Sequence, residues 1–120
     1  TTDDLVNTDI VVDCLDSAKS RLELAALCKE AIPPIIHGAV AKWYGQAGLA
    51  TPENSLIEKI FAKQVNVQKE PVKVTAPTVY HIASLQSSEA IKYLLNYPSE
   101  LINNWLSCDL LSTDFQKISS

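Results

Sequence analysis

A run of strand, helix and strand signals between residues 8 and 46 constrains the fold of this chain more than any other feature. A β-branched segment is followed directly by a segment with helical spacing, and then by a second short apolar run. This order is the unit from which parallel sheets with crossover helices are built. We therefore predict an α/β fold, a Rossmann-like mixed sheet flanked by helices, in which residues 10–14 and 35–38 are adjacent parallel strands.

The remaining apolar patterns complete this sheet. We predict further strands at 45–49 and 106–111, a hairpin return at 115–118, and helices at 18–31 and 78–95. Thr78 is the expected N-cap of the long helix, Asn96 its left-handed end, and Pro98 prevents its continuation. Residues 3–8 should lead into the first strand, and residues 53–76 should be a connector with a short helix near 55–63. The length of 120 residues predicts a single domain.

Composition excludes several classes of function. A hydrophobic fraction of 47% with 20% charged residues is typical of a globular protein. No apolar stretch approaches the ~20 residues of a membrane span, so we predict no membrane association and a cytoplasmic location. The net charge of −4 without a basic cluster argues against a nucleic-acid partner. Cys14, Cys28 and Cys108 lie inside apolar patterns, which predicts three buried free thiols.

Polar residues collect where the two predicted parallel strands end. Asp13 and Asp16 follow the first strand, and His37 and Gly38 end the second. In such sheets ligands lie beyond the carboxyl ends of the strands, so these residues are candidates for a site. Arg21, in the first turn of the helix, would be favourably placed beside these carboxylates or another anion.

Each of these residues also has a purely structural interpretation. Asp16 or Ser17 can cap the following helix, and Arg21 can form a surface ion pair with Asp16 or Asp13. His37 and His81 would then be histidines whose ring nitrogens are satisfied by neighbouring protein groups. The residues alone leave these alternatives open.

Four segments carry a resemblance to a known family. VVDCLDSAKSRLEL followed by PIIHGAVAKWYGQ, then APTVYHIASLQSSEAIKYLLN, then NWLSCDLLSTDFQKI, resemble the carboxyl half of the ThiF/MoeB/HesA family in the order and spacing of that family. These proteins are bacterial relatives of ubiquitin-activating enzymes. The resemblance covers nearly the whole chain.

The resemblance implies an ATP- and magnesium-dependent adenylyltransferase that activates the C-terminal glycine of a small ubiquitin-like sulfur-carrier protein. In the family motif D-C-x-D-N-x-x-x-R, the second Asp assists magnesium, and Asp16 matches it. Asp13 and Arg21 match the first Asp and the Arg, whereas Leu15 and Ser17 depart from the usual Thr and Asn. We therefore predict catalytic roles for Asp16 and Arg21, cofactor binding by Asp13 and Asp16, and magnesium binding by Asp16. The family also implies a homodimer.

Two family features have no counterpart in the sequence. No Cys-x-x-Cys pair occurs, so we expect no structural zinc. The three glycines, Gly38, Gly45 and Gly48, do not form the glycine-rich turn that cradles phosphates. The chain is therefore interpreted as a partial domain lacking the amino-terminal nucleotide-binding half, and we expect it to be inactive alone. The alternatives are a non-catalytic dimerisation or interaction module, or another doubly wound nucleotide-binding domain.

Overall fold

A five-stranded mixed sheet with helices on both faces forms the centre of the molecule, which confirms the predicted fold class. The computed structural model describes residues 1–54, 56–61 and 73–119. Its elements in chain order are α1 (Thr2–Leu5), β1 (Val11–Val12), α2 (Ala18–Ala31), β2 (Ile35–Ala41), β3 (Tyr44–Ala50), α3 (Leu56–Phe61), α4 (Ala76–Leu94), β4 (Asn104–Asp109) and β5 (Asp114–Ser119). The strands lie in the sheet in that same order.

β1 and β2 are adjacent and parallel, as predicted, with Val11 opposite Ile35. All other neighbouring strands are antiparallel, and a two-residue turn joins β2 to β3. The predicted boundaries were less accurate. β1 is shorter than 10–14, β2 continues to Ala41, and β4 begins and ends two residues before the predicted 106–111. Such boundaries depend on where the neighbouring strand offers hydrogen bonds.

α2 and α3 cover one face of the sheet and make the larger core. α2 has the predicted bounds, and Ser17 caps it by accepting a hydrogen bond from the Ser20 N–H at 3.1 Å. Side chains from α2, α3 and the facing sides of β2 and β3 pack together at Ala18, Ala25, Cys28, Ile35, Ala50, Leu56, Ile57 and Phe61. This core fixes the carboxyl end of β1 against the first turn of α2.

α4 covers the opposite face, where Ala47, Ile82 and Cys108 form a smaller core. The prediction that Thr78 is the N-cap was wrong, because the helix begins at Ala76 with Thr75 as its N-cap residue and Pro77 in its first turn. Proline is well accommodated there, since the N–H that it lacks has no partner within the helix. Asn96 has the predicted left-handed conformation at the carboxyl end, with φ 59°.

The structure corrects two further expectations and confirms a third. The first residues form the short helix α1 instead of an extended lead into β1. Cys14 is exposed, because β1 ends before it and the alternation of the strand no longer applies, whereas Cys28 and Cys108 are buried as expected. The short helix predicted near 55–63 is found as α3, and the rest of that connector, residue 55 and residues 62–72, lies outside the described residues. No helix in the described part of the chain is long and apolar enough to cross a bilayer.

Candidate functional site

The Asp13 carboxylate, just beyond β1, is the centre of a buried polar cluster. Only 1% of Asp13 is exposed. Its Oδ1 accepts the Leu15 N–H at 2.9 Å, and its Oδ2 lies 3.1 Å from both Arg21 Nε and His37 Nδ1. Three protein groups thus surround a carboxylate that was predicted to contact the cofactor. That contact stays a prediction, and in this structure Asp13 organises the protein around it.

Arg21 is buried with Asp13, so the predicted alternative of a surface ion pair was wrong. Its second terminal nitrogen donates to the Leu15 carbonyl at 2.5 Å and to the Gly38 carbonyl at 3.3 Å. The guanidinium also stands over the Phe61 ring, 4.9 Å from its centroid. A planar cation with several donors can make all these contacts together, which an ammonium cannot.

His37 has no exposed surface and uses both ring nitrogens. Nδ1 faces Asp13, Nε2 lies 2.9 Å from the Gln46 side-chain nitrogen, and the ring meets Phe61 edge-on at 5.1 Å. Burial lowers the pKa of His37, an effect that the Asp13 carboxylate opposes and Arg21 reinforces. The prediction that His37 is a satisfied histidine is confirmed.

The same prediction was wrong for His81 on α4. Its Nε2 is buried and has no hydrogen-bond partner among the described residues. The ring is instead stacked on Phe115, with the centroids 5.7 Å apart. Stacking fixed the position of this ring, which spacing along the helix could not reveal.

Asp16, unlike Asp13, lies on the surface of the protein. It is exposed, and its carboxylate has no hydrogen bond or ion pair with any described residue. Ser17 provides the helix cap instead, so the alternative that Asp16 caps α2 was wrong. The carboxylate therefore lies exposed at the carboxyl end of β1 and at the amino end of α2, unpaired within the described part of the chain.

Gln86 and Gln46 also belong to the site, although neither was predicted to have a site role. Gln86, from α4, is buried and donates to the Asp13 carbonyl at 2.9 Å and to the Ile36 carbonyl at 3.3 Å. It fits because residue 38 is glycine: a Cβ there would lie 2.3 Å from the Gln86 side-chain carbonyl carbon. The sequence signals for it were its place on the apolar stripe of α4 and within a segment that carries the family resemblance.

A cleft of about 750 Å³ lies elsewhere, beside the carboxyl end of α4, and its lining includes Asp9, Glu89, Tyr93 and Tyr97. None of the residues from Asp13 to Arg21 lines it. Among the described residues no group of three or more His, Cys, Asp or Glu could hold a metal ion. Any cation at Asp16 must therefore find most of its ligands outside the described protein groups.

A model of the ThiF family matches residues 2–120. The chain belongs to the ThiF family. Molybdopterin-synthase adenylyltransferases of Haemophilus influenzae and Escherichia coli are 31% and 29% identical to it, and each alignment covers 92% of the chain. The SAMP-activating enzyme E1 of Haloferax volcanii is 25% identical over 95% of the chain. The chain spans less than half the length of these ThiF relatives, 47%, 46% and 44% respectively.

Solved structures support the ThiF fold. Escherichia coli MccB in complex with AMPCPP and MccA superposes with a TM-score of 0.73 at 19% identity, over 92% of this chain and 36% of that one. PaaA superposes with a TM-score of 0.68 at 12% identity, over 94% and 42%. At these identities the likeness concerns the fold alone.

Proposed function

We propose that this chain is the carboxyl half of an ATP-dependent adenylyltransferase that activates the C-terminal glycine of a small ubiquitin-like sulfur-carrier protein. Membership of the ThiF family and the names of its adenylyltransferase and SAMP-activating relatives support this. The observation that carries the proposal is the exposed Asp16 carboxylate, which has no hydrogen bond or ion pair with any residue that the structure describes. It projects from a turn that Asp13 and Arg21 hold in place, at the edge of the sheet where α/β proteins bind ligands.

The donor chemistry of Asp16 fits magnesium. Mg²⁺ prefers oxygen ligands, keeps several waters, and is commonly bound through one or two carboxylates and substrate phosphates. One exposed carboxylate that has no partner among the described residues is what such a site requires of this half of the protein. When bound, the ion would neutralise phosphate charge as pyrophosphate leaves. Asp16 would hold it, and Arg21 would keep the turn in place and add positive charge nearby.

ATP itself would be held mainly by residues outside this chain. The three glycines all lie in β2 and β3, so none opens a helix to cradle phosphates. We therefore expect the nucleotide-binding half to come from further protein sequence, and the 120 residues alone to be inactive. Zinc is not part of the proposal.

We further propose that the complete protein is a homodimer and acts in the cytoplasm. Exposed apolar side chains on α4 and just after it support self-association, namely Tyr80, Ile91, Leu94, Leu95 and Tyr97. The buried free thiols of Cys28 and Cys108 suit a reducing compartment. Light scattering that finds only monomers at high micromolar concentration would reject the dimer.

The deciding experiment is carrier-dependent ATP–pyrophosphate exchange. The 120-residue chain should show none, whereas the product of the whole reading frame that contains it should show exchange. In that product, Asp16→Asn should lower the rate by about 10²-fold, because a charge that acts in the transition state is lost. Asp9→Asn, an exposed acid at the other end of β1, is the matched control and should leave the rate unchanged.

Exchange by the Asp16→Asn protein at the unmutated rate, under limiting magnesium, would reject the role of Asp16. An absence of exchange in the whole product with any sulfur carrier would favour the second candidate, a non-catalytic dimerisation or interaction module. The absence of a phosphate-cradling glycine turn from this sequence is the observation that favours that candidate.

A further inference from the structure

A continuous line of side-chain hydrogen bonds runs from α2, past the end of β1, to β2 and β3. It runs from Arg21 through Asp13, His37 and Gln46 to Tyr44. We call these five residues the relay. The Tyr44 hydroxyl donates to Gln46 Oε1 at 2.8 Å and accepts from Ser107 on β4 at 3.3 Å. The relay is buried from Arg21 to Gln46 and reaches solvent at Tyr44, which is 37% exposed.

The chemistry of the end groups sets the direction of every bond in the relay. Arg21 and the Leu15 N–H can only donate, so Asp13 acts as an acceptor, and His37 must present a hydrogen on Nδ1. In the neutral ring Nε2 is then an acceptor, and the Gln46 amide must turn its NH₂ group toward it. This orientation leaves Gln46 Oε1 to accept from Tyr44.

The relay ends on the turn that carries Asp16. Asp13 binds the N–H of Leu15, and Arg21 binds the carbonyl of the same residue. The N–H and the carbonyl of Leu15, the residue before Asp16, are therefore held by Asp13 and Arg21. These two side chains are paired with each other, and Asp13 also contacts His37. Without the His37 donor, Asp13 Oδ2 would have Arg21 as its one remaining partner among the described residues. The carboxylate could then rotate and move Oδ1 away from the Leu15 N–H.

We propose that His37 is a positioning residue, which holds the Asp13 carboxylate through its Nδ1–H and thereby fixes the backbone turn that presents Asp16. The catalytic meaning of this role rests on the proposed function, whereas the positioning itself does not. Both histidines of the chain are available for a comparison, because His81 lies on the opposite face and touches no member of the relay.

Two substitutions separate positioning from packing. The side-chain nitrogen of Asn lies as many bonds from Cβ as Nδ1 of histidine, and that of Gln lies as many as Nε2. His37→Asn can therefore still donate to Asp13, although it leaves a larger void, while His37→Gln fills more space but loses that donor. If His37 merely fills the core, the protection of the Leu15 amide in the His37→Gln protein should be closer to that in the unmutated protein. If His37 positions Asp13, the protection in the His37→Asn protein should be closer.

The first measurement uses the 120-residue chain and needs no ligand. Nitrogen-15 NMR should show the Nδ1–H tautomer of His37, and hydrogen exchange should show a protected Leu15 amide. His37→Asn should keep that protection within about threefold, and His37→Gln should lower it at least tenfold, with His81→Gln unchanged. An Nε2–H tautomer of His37 in the unmutated chain would overturn the proposal, and this measurement does not depend on the folding of any variant. A protected Leu15 amide in the His37→Gln protein would also overturn it.

The second measurement is pyrophosphate exchange by the whole reading-frame product. His37→Gln should lower the rate at saturating ATP at least tenfold, and His37→Asn should restore most of it. Equal rates for the two folded variants would refute a role in the reaction. If the unmutated product shows no exchange, the proposed function fails, while the tautomer and the Leu15 amide still decide the positioning role.

Discussion

His37 Nδ1 lies 3.1 Å from Asp13 Oδ2, and both side chains are excluded from solvent. A histidine in this position is held neutral by burial, although a carboxylate stands beside it. The pair connects two parallel strands at the end where the family resemblance places the chemistry. Arg21 is also bonded to Asp13, and together the two side chains hold the backbone turn at Leu15.

Stability should fall as the pH is lowered through the range in which histidine titrates. Burial lowers the pKa of His37 from its ordinary 6.5, so below that pH the unfolded chain binds a proton that the folded chain does not. This stabilisation is fully present above about pH 7 and is lost between pH 6.5 and the lower folded pKa, by at most about 1.4 kcal/mol per pH unit. Urea unfolding between pH 5 and 7.5 measures it.

Two variants serve as controls for this titration. His37→Asn should flatten the stability profile between pH 5 and 7, whereas His81→Gln should keep its slope. A slope that persists in His37→Asn would show that another group titrates in this range.

Loss of Arg21 should be strongly destabilising. Arg21→Gln leaves the buried Asp13 without its cationic partner, and removal of one partner of a buried ion pair costs about 3–5 kcal/mol. Lys19→Gln, an exposed cation two residues earlier on α2, should change the free energy of unfolding by less than about 0.5 kcal/mol. Equal stabilities for the two variants in denaturant titrations would contradict the buried pairing.

Ser17 should contribute more than Asp16 to the stability of the fold. Ser17→Ala removes the cap of α2 and should cost about 1 kcal/mol. Asp16→Ala removes an exposed side chain without a partner among the described residues, and should change stability by no more than about 0.5 kcal/mol. Thermal unfolding of the two variants in parallel tests this, and a larger loss for Asp16→Ala would mean that its carboxylate supports the fold.

Only one of the three thiols should react in the native state. Cys14 is exposed, whereas burial raises the pKa of Cys28 to about 11 and also raises that of Cys108, so neither offers a thiolate at neutral pH. Ellman's reagent should therefore label one thiol quickly, and three in denaturant. The Cys14→Ser protein should show no fast phase, and a remaining fast phase would mean that a buried thiol is accessible.

Gly38 and Gln86 should be energetically coupled. Gly38→Ala should cost about 1–3 kcal/mol, because the added methyl meets the Gln86 side chain. Gln86→Ala should cost a similar amount, because it leaves the Asp13 and Ile36 carbonyls without its amide. The double variant should lose less than the sum, since truncation of Gln86 makes room for the methyl.

The control for this cycle is Gly45→Ala, whose methyl would meet Ile82 instead of Gln86. The loss of unfolding free energy caused by Gly45→Ala should add to the loss caused by Gln86→Ala, as measured by urea unfolding. If the losses for Gly38→Ala and Gln86→Ala are additive as well, the contact between residue 38 and the Gln86 side chain is contradicted.

The sequence by itself determined the order of the elements from β1 onward, the parallel pairing of β1 with β2 and the bounds of α2, because periodicity and helix signals are local properties. It also brought Asp13, Asp16 and Arg21 to one edge, since residues that follow adjacent parallel strands share that edge. Only the tertiary structure decided what each does there. Packing of α2 and α3 over β2 buried Arg21 and His37 with Asp13, while Ser17 took the helix cap and left Asp16 free.

Tertiary contacts also brought in Gln86, which is 73 residues from Asp13 along the chain, and Gln46, which faces His37 only because β2 and β3 pair in this register. A hydrogen bond between distant residues depends on register, side-chain rotamer and the absence of a side chain at Gly38. The glycine is visible in the sequence, but the register and the rotamers are not encoded in local spacing. The sequence therefore indicated the edge at which the site lies, and the three-dimensional packing determined which side chains form it.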